Sequence, residues 1–281
     1  RDVAPSRGLG DVYKRQIIQS GNDACIVAAE NIAGSEEDFA KAMNEKAKKL
    51  GMHNSSFANA TGWPHPDQRM SVEDLAKLAR IIIKQFPDYY YLFSERNFTH
   101  NKIKQGNRNP LLYSMPEADG LKTGHTEEAG FCLTGSAKRG DRRLIGVMSG
   151  LSSNKERSEE AEKIMNWGFR EFENYKVLKQ GQKVAEIPVW FGNEKNVDLL
   201  VNQDVLRTIK KSKAPKVKLT AVYDKPVKAP VKQGDKLGFV RVEVPGSETM
   251  EVPLIANKDI NKLGWFGKIT ENIKYLLFGA E

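Results

Sequence analysis

Two short strings in this 281-residue chain carry side chains suited to acyl transfer: Ser20-Gly21-Asn22 and Lys122-Thr123-Gly124. Attack on an acyl carbon needs an activated hydroxyl, a proton relay and donors for the developing oxyanion. Ser20 with Asn22 suits the relay, the hydroxyl passing a proton and the carboxamide holding a neighbouring lysine or a substrate amide. Lys122 and Thr123 offer a cation and a hydroxyl to a carboxylate, and Gly124 lets a ligand lie close to the backbone. Taken singly, Ser20 also reads as a helix N-cap and Lys122 as a solvated strand lysine. Their order, separation and surroundings give them weight together.

The missing part is a nucleophile. In sites that combine such strings, a Ser-x-x-Lys element carries the attacking serine, and the nineteen residues ahead of Ser20 contain none. Ser152-Ser153-Asn154-Lys155 matches Ser-x-x-Lys and Ser-x-Asn, but it follows Lys-Thr-Gly in a polar stretch that opens a helix, which predicts a helix cap. No nucleophile and no metal-ligand set is assigned.

The elements that must position these residues start at an unusual end. Arg1–Gln16 (RDVAPSRGLGDVYKRQ) lacks apolar periodicity and the apolar core of a signal peptide. Asp11–Gln16 equals the translation of GATGTGTATAAGAGACAG, a transposase end sequence used in sequencing adapters. Residues 1–16 are therefore expected to be non-native, against the plainer reading of a disordered tail, and native sequence is expected from Ile17. Ile17–Ile32 reads as a buried helix following the Ser-Gly-Asn turn. Ser35 and Ser71 each open a helix as caps, and Asn54–Pro66 reads as a loop. Phe131–Ala137 and Leu144–Ser149 flank a turn at Gly140 and predict a hairpin, placing Lys-Thr-Gly on an inner strand of the same sheet. Lys155–Tyr175 predicts an amphipathic helix with Ala161, Ile164, Met165, Gly168, Phe169 and Phe172 on one side. Lys176–Ile260 is rich in Val, Lys and Pro in short alternating runs, which predicts a small all-β domain. From residue 261 to 281, Trp265, Phe266, Ile269, Ile273, Leu276 and Leu277 make one side of an amphipathic helix. That side suits a membrane interface or docking on the β domain.

Composition is that of a globular protein, without an apolar run long enough to span a bilayer. The net charge is +8, and Asn202–Pro245 holds eleven Lys/Arg against four Asp/Glu. Such a face meets anionic lipid or wall polymer, or is a set of solvated strand faces whose lysines block edge aggregation. Nucleic acid is not expected as a partner, since no recognised binding motif accompanies the charge. Cys25 and Cys132 sit among apolar residues and read as buried free thiols.

Longer strings extend the pattern: Ile18–Ala29 (IQSGNDACIVAA), Leu121–His125 (LKTGH), Asn166–Phe172 (NWGFREF) and Val189–Gly192 (VWFG). Together they resemble the low-molecular-weight penicillin-binding proteins, and more narrowly the D-alanyl-D-alanine carboxypeptidases of serine peptidase family S11, penicillin-binding protein 5 type. The resemblance runs from Ile17 to the C-terminus. It implies an α/β serine-peptidase domain of the penicillin-binding/β-lactamase-like class, incomplete here (17–175), then a small all-β domain (176–260) and a C-terminal amphipathic anchor helix (261–281). It further implies removal of the terminal D-alanine from peptidoglycan stem pentapeptides through an acyl-enzyme, acylation by β-lactam antibiotics, no cofactor or metal, and residence at the outer face of the bacterial cytoplasmic membrane, with the helix on its anionic surface. By motif, Ser20, Asn22 and Lys122 carry over as catalytic, and Thr123, Gly124, His125 and Arg108 as substrate-binding. The nucleophile and its lysine have no counterpart, so the chain is expected to be inactive as written. Two alternatives stand beside this reading: a non-catalytic wall- or membrane-binding relative, and a serine β-lactamase-like hydrolase.

Overall fold

The computed structural model describes residues 5–264 and divides into two compact units, Arg1–Arg170 and Glu171–Glu281. The sequence-based boundary lies five residues further on, at 175/176.

The first unit begins with helix α1 (Pro5–Gln19). The stretch read as lacking apolar periodicity thus runs as helix up to the Ser-Gly-Asn turn, packing against the next helix and the first strand. Ser20 interrupts it with φ 53, a left-handed conformation sparsely populated outside glycine. Gly21 is extended and caps α2 (Asn22–Ala33). The helix expected after the Ser-Gly-Asn turn is α2, while Ile17–Gln19, counted with it, end α1. It is not buried throughout either: Ala24 and Ala29 face inward while Val27 and Ile32 are exposed, because small residues form the packed stripe.

Ser35 accepts from the Asp38 amide at 3.0 Å and starts α3 (Glu36–Lys49). Ser71 accepts from the Asp74 amide at 3.1 Å and starts α4 (Val72–Gln85). Both caps were legible, since each satisfies an orphan amide within its own turn. Pro87 opens the short α5 (Pro87–Tyr90). A hairpin of β1 (Asn97–His100) and β2 (Ile103–Gly106) and a turn of helix, α6 (Leu111–Ser114), follow.

The central sheet of this unit has β3 (Ala118–Thr126), β4 (Gly130–Arg139) and β5 (Arg142–Leu151) in that order, all antiparallel. The expected hairpin is β4–β5. Lys-Thr-Gly lies on β3, which is an edge strand of the described sheet and not an inner one, so its outer edge is free to face a cleft. Helix α7 (Asn154–Glu171) covers the sheet with Ala161, Met165, Gly168 and Phe169 buried. It stops short of the expected Tyr175, and Ile164 points outward while Phe172 starts a strand.

The second unit holds β6 (Phe172–Leu178), β7 (Lys183–Trp190), β8 (Asn196–Val201), β9 (Val205–Lys210), β10 (Lys218–Tyr223), β11 (Val227–Lys228), β12 (Lys236–Glu243) and β13 (Met250–Ala256). Strands β6 and β9 pair with each other, and the other six form one sheet in the order β10-β12-β13-β8-β7-β11. Alternate inward residues such as Ile187, Val197, Leu199, Val240 and Leu254 make a core that is fully removed from water, as the period-two runs predicted. Asn261–Gly264, the start of the expected amphipathic helix, are not helical, and Lys262 bridges to Gly192. The rest of that segment lies outside the described residues, as do residues 1–4.

Candidate active site

A cleft of about 1080 Å³ opens in the first unit. One wall is β3 from Lys122 to Thr126, and the other is the loop from Thr61 to Met70. That loop is braced from behind. Asn59 Oδ1 accepts from the amides of Thr61 (3.2 Å), Gly62 (2.7 Å) and Trp63 (3.1 Å), and Asn59 Nδ2 donates to Trp63 O at 3.0 Å. Gln68 Oε1 takes the Ala58 amide at 2.9 Å. The wall therefore holds its shape although Trp63 is 63% exposed. Sequence reading treated these residues as a plain loop.

All seven sequence-assigned residues line this cleft. Lys122 Nζ donates to Ser20 Oγ at 2.5 Å across 102 residues of chain, and to Thr123 O at 2.7 Å. The turn that exposes Ser20 and the β3 strand that presents Lys122 make this meeting possible. Asn22 is the first residue of α2, so its side chain leaves the helix at the same end. Thr123 is buried, and Gly124 and His125 are exposed. A Cβ on Gly124 would meet no protein atom nearer than Cys132 Cβ at 3.7 Å. The backbone at Gly124 is therefore open to the cleft. His125 packs on Phe131 with ring centroids 4.1 Å apart. Arg108 is exposed at the cleft.

Sequence reasoning missed Arg157. This α7 residue is 5% exposed and sits 5.5 Å from the Phe131 ring centroid. Its guanidinium donates to Asn154 Oδ1 at 2.5 Å and to the carbonyls of Gly124 and Cys132 at 3.4 Å each. A signal was available: Arg157, Ala161, Met165 and Gly168 follow helical spacing, so a charged residue occupies the buried stripe.

Electrostatics follow from the crowding of cations. Burial, then the positive charge of Arg108, brings the Lys122 ammonium down to about 8, and Arg157 adds to the effect. Burial lowers Arg157 as well. Cys25 and Cys132 are free and partly exposed to the cleft, not buried in the core as expected. Burial still pushes the Cys25 thiol up, against the pull of Lys122. Cys132 Sγ lies 3.3 Å from Ser149 Oγ.

The Ser-x-x-Lys look-alike is a cap. Ser153 Oγ accepts from the Glu156 amide at 3.0 Å, and Ser152 donates to the Glu156 carboxylate at 2.6 Å. Among the described residues no group of three or more His, Cys, Asp or Glu could hold a metal ion.

The fold and this cleft define a serine-peptidase α/β domain followed by a β-rich domain. Residues 7–153 match the S11 peptidase model, D-alanyl-D-alanine carboxypeptidase, and residues 172–262 match the C-terminal domain of penicillin-binding protein 5. The chain belongs to the D-alanyl-D-alanine carboxypeptidase family of S11 peptidases. It is 38% identical to D-alanyl-D-alanine carboxypeptidase DacC of Escherichia coli over 263 residues, 93% of this chain and 66% of that protein. It is 36% identical to DacF of Bacillus subtilis over 261 residues, 91% of this chain and 67% of that one. Penicillin-binding protein 5 from Haemophilus influenzae superposes with a TM-score of 0.76 at 36% identity, over 90% of this chain and 74% of that one. Penicillin-binding protein D2 from Listeria monocytogenes, solved in its ampicillin-bound form, superposes with a TM-score of 0.53 at 35% identity, over 57% of this chain and 66% of that one. The chain thus spans about two thirds of the length of the curated relatives it matches.

Proposed function

We propose that this chain is the substrate-binding and C-terminal portion of a serine-type D-Ala-D-Ala carboxypeptidase. The observation that carries the reading is the 2.5 Å contact of Lys122 Nζ with Ser20 Oγ, two motifs far apart in sequence joined in one cleft. A stem pentapeptide lies along the free edge of β3, pairing its backbone with the strand. Its terminal carboxylate meets Thr123 and the cations Lys122, Arg108 and Arg157. Ser20 and Lys122 relay the proton to the departing D-alanine, and Asn22 holds the peptide amide. The attacking serine is none of these residues, and Arg1–Glu281 contains no Ser-x-x-Lys element ahead of Ser20. The chain as written therefore binds without turning over, and β-lactams bind without acylating it. The match of the second unit to the penicillin-binding protein 5 C-terminal domain favours this reading over a β-lactamase. The parent acts at the outer face of the cytoplasmic membrane, held to its anionic surface by residues 261–281.

The test is direct. The purified chain is incubated with a fluorescent penicillin and, separately, with a D-Ala-D-Ala peptide. No covalent label and no released D-alanine are expected, together with saturable peptide binding by calorimetry. Covalent labelling would refute the inactivity, and absence of peptide binding would refute the assignment of the cleft.

A further inference from the structure

The cleft holds one charged group that binding of a terminal carboxylate leaves idle. Glu128 is the single carboxylate among the described lining residues, in company with the cations Arg69, Arg108, Lys122 and Arg157. Its side chain is exposed, and among the described residues it makes no ion pair or hydrogen bond with any of them. Arg69, on the facing wall, donates to Pro66 O at 3.2 Å instead. The neighbouring Glu127 is exposed too, but it is not part of the cleft lining. An anion left unneutralised in a cationic cleft complements a ligand that brings a cation of its own.

The turn that carries Glu128 is held in place. Thr126 Oγ1 accepts from the Ala129 amide at 3.0 Å, and Ala129 O accepts from the Gly150 amide at 2.9 Å. Gly130 closes the turn with φ 63, so tightly against β5 that a Cβ there would meet Leu151 O at 2.7 Å. Glu128 therefore stands at a fixed place just beyond the last residue of β3. The strand also sets the direction of approach. A peptide whose terminal carboxylate sits at Thr123 cannot continue back along β3, where Gly120 and Leu121 are buried, whereas Gly124 and His125 are exposed. It runs antiparallel to β3, toward Thr126. At ~3.4 Å per residue, its third residue from the C-terminus lies about 7 Å along, opposite His125. An amine on a four-carbon stem reaches about 6 Å further, past Thr126 to the turn.

We infer, resting on the peptide reading above, that Glu128 is a specificity-determining residue that selects D-Ala-D-Ala peptides whose third residue from the C-terminus carries a free side-chain ammonium. The ammonium pairs with the Glu128 carboxylate beyond one end of the exposed segment of β3, while the peptide's own carboxylate is held at the other. A peptide whose amine is acylated keeps its length and its backbone pairing and loses only this ion pair.

The test compares two peptides by calorimetry on the full chain at neutral pH and low ionic strength: Nα-acetyl-lysyl-D-Ala-D-Ala, with its side-chain amine free, and the Nα,Nε-diacetyl form. The free-amine peptide should bind about two- to fivefold more tightly, the range that an exposed ion pair gives. That advantage should vanish in Glu128→Gln, a conservative change at an exposed turn, and survive in Glu127→Gln. It should also shrink at 1 M salt, where the screening length is about 3 Å. Equal binding of the two peptides by the unsubstituted chain would overturn the role of Glu128 and leave the peptide reading standing. An advantage that persists in Glu128→Gln would assign the selection to another group and overturn it as well. Binding of neither peptide would overturn both the inference and the reading it rests on.

Discussion

Asp119 and Arg143 face each other across the central sheet as a bidentate ion pair, with both oxygen–nitrogen distances at 2.7 Å. Asp119 lies three residues before Lys122 on β3, and Arg143 is at the start of β5. Ser136 Oγ on β4 accepts from the same guanidinium at 2.7 Å, and the Tyr90 hydroxyl donates to Asp119 at 2.9 Å. Burial pushes the Tyr90 phenol well above its ordinary range, so it stays a neutral donor. Four side chains from three strands and a helix thus fix the segment that carries Lys122.

Asp119→Ala leaves the half-buried Arg143 without its partner. Breaking such a pair costs roughly 3 kcal/mol. Urea unfolding should show a loss of that order, and Asp119→Asn, which keeps part of the hydrogen bonding, a smaller one. A loss below about 0.5 kcal/mol, the range of ordinary surface substitutions, would mean that the network does not hold β3.

Lys122 makes carboxylate binding depend on pH. Its ammonium is present below about 8, so affinity for a D-Ala-D-Ala peptide should be highest there and fall as pH rises through that value. Lys122→Arg should keep binding to higher pH, because a guanidinium does not titrate in this range. Stability moves the other way. The folded pKa lies below the ordinary 10.5, so between these values the unfolded chain binds more protons and stability rises with pH. The native chain should therefore gain on Lys122→Met between pH 8 and 10.5. A flat difference across that window would reject the lowered pKa.

Asn59 braces the outer wall of the cleft by taking three consecutive amides on one oxygen. Asn59→Ala removes the shared acceptor, and since the Gly62 and Trp63 contacts are exposed and their amides can turn to water, the cost is on the order of 1 kcal/mol in all. Faster amide exchange should appear at Thr61, Gly62 and Trp63, and peptide affinity should weaken. Asn59→Asp keeps the acceptor and should restore much of the protection. Unchanged exchange in the alanine variant would remove the brace from the account.

The tail makes its own prediction. Flotation with anionic vesicles should recover the full chain, and deletion of Gly264–Glu281 should abolish recovery. Equal recovery of the two proteins would place the lipid contact elsewhere, with the lysines of 202–245 the next place to look.

What the sequence disclosed was mostly local. Ser35 and Ser71 cap their helices through bonds to amides three residues away, so a window of four residues contains the whole cause. The β domain was legible because its inward residues alternate. Ser20 and Lys122 were each visible as motif residues, but their contact depends on a left-handed Ser20 and on the edge position of β3, which no short window encodes. Cys25 and Cys132 misled because apolar neighbours in sequence are not neighbours in space. Arg157 was missed because its partners, Gly124 and Cys132 carbonyls, sit on strands far away along the chain.

Three segments deliver Arg108, Lys122 and Arg157 to one hollow, where Glu128 is the single carboxylate among the described lining residues. Left alone, they push against one another and against the folding of the strand, loop and helix that carry them. A small anion relieves that push and binds only the folded form, so it acts as a stabiliser by mass action. The acetate or phosphate of an ordinary buffer is then a participant in the protein's apparent stability. Melting temperatures of this chain compare only between solutions that share the same anion at the same concentration.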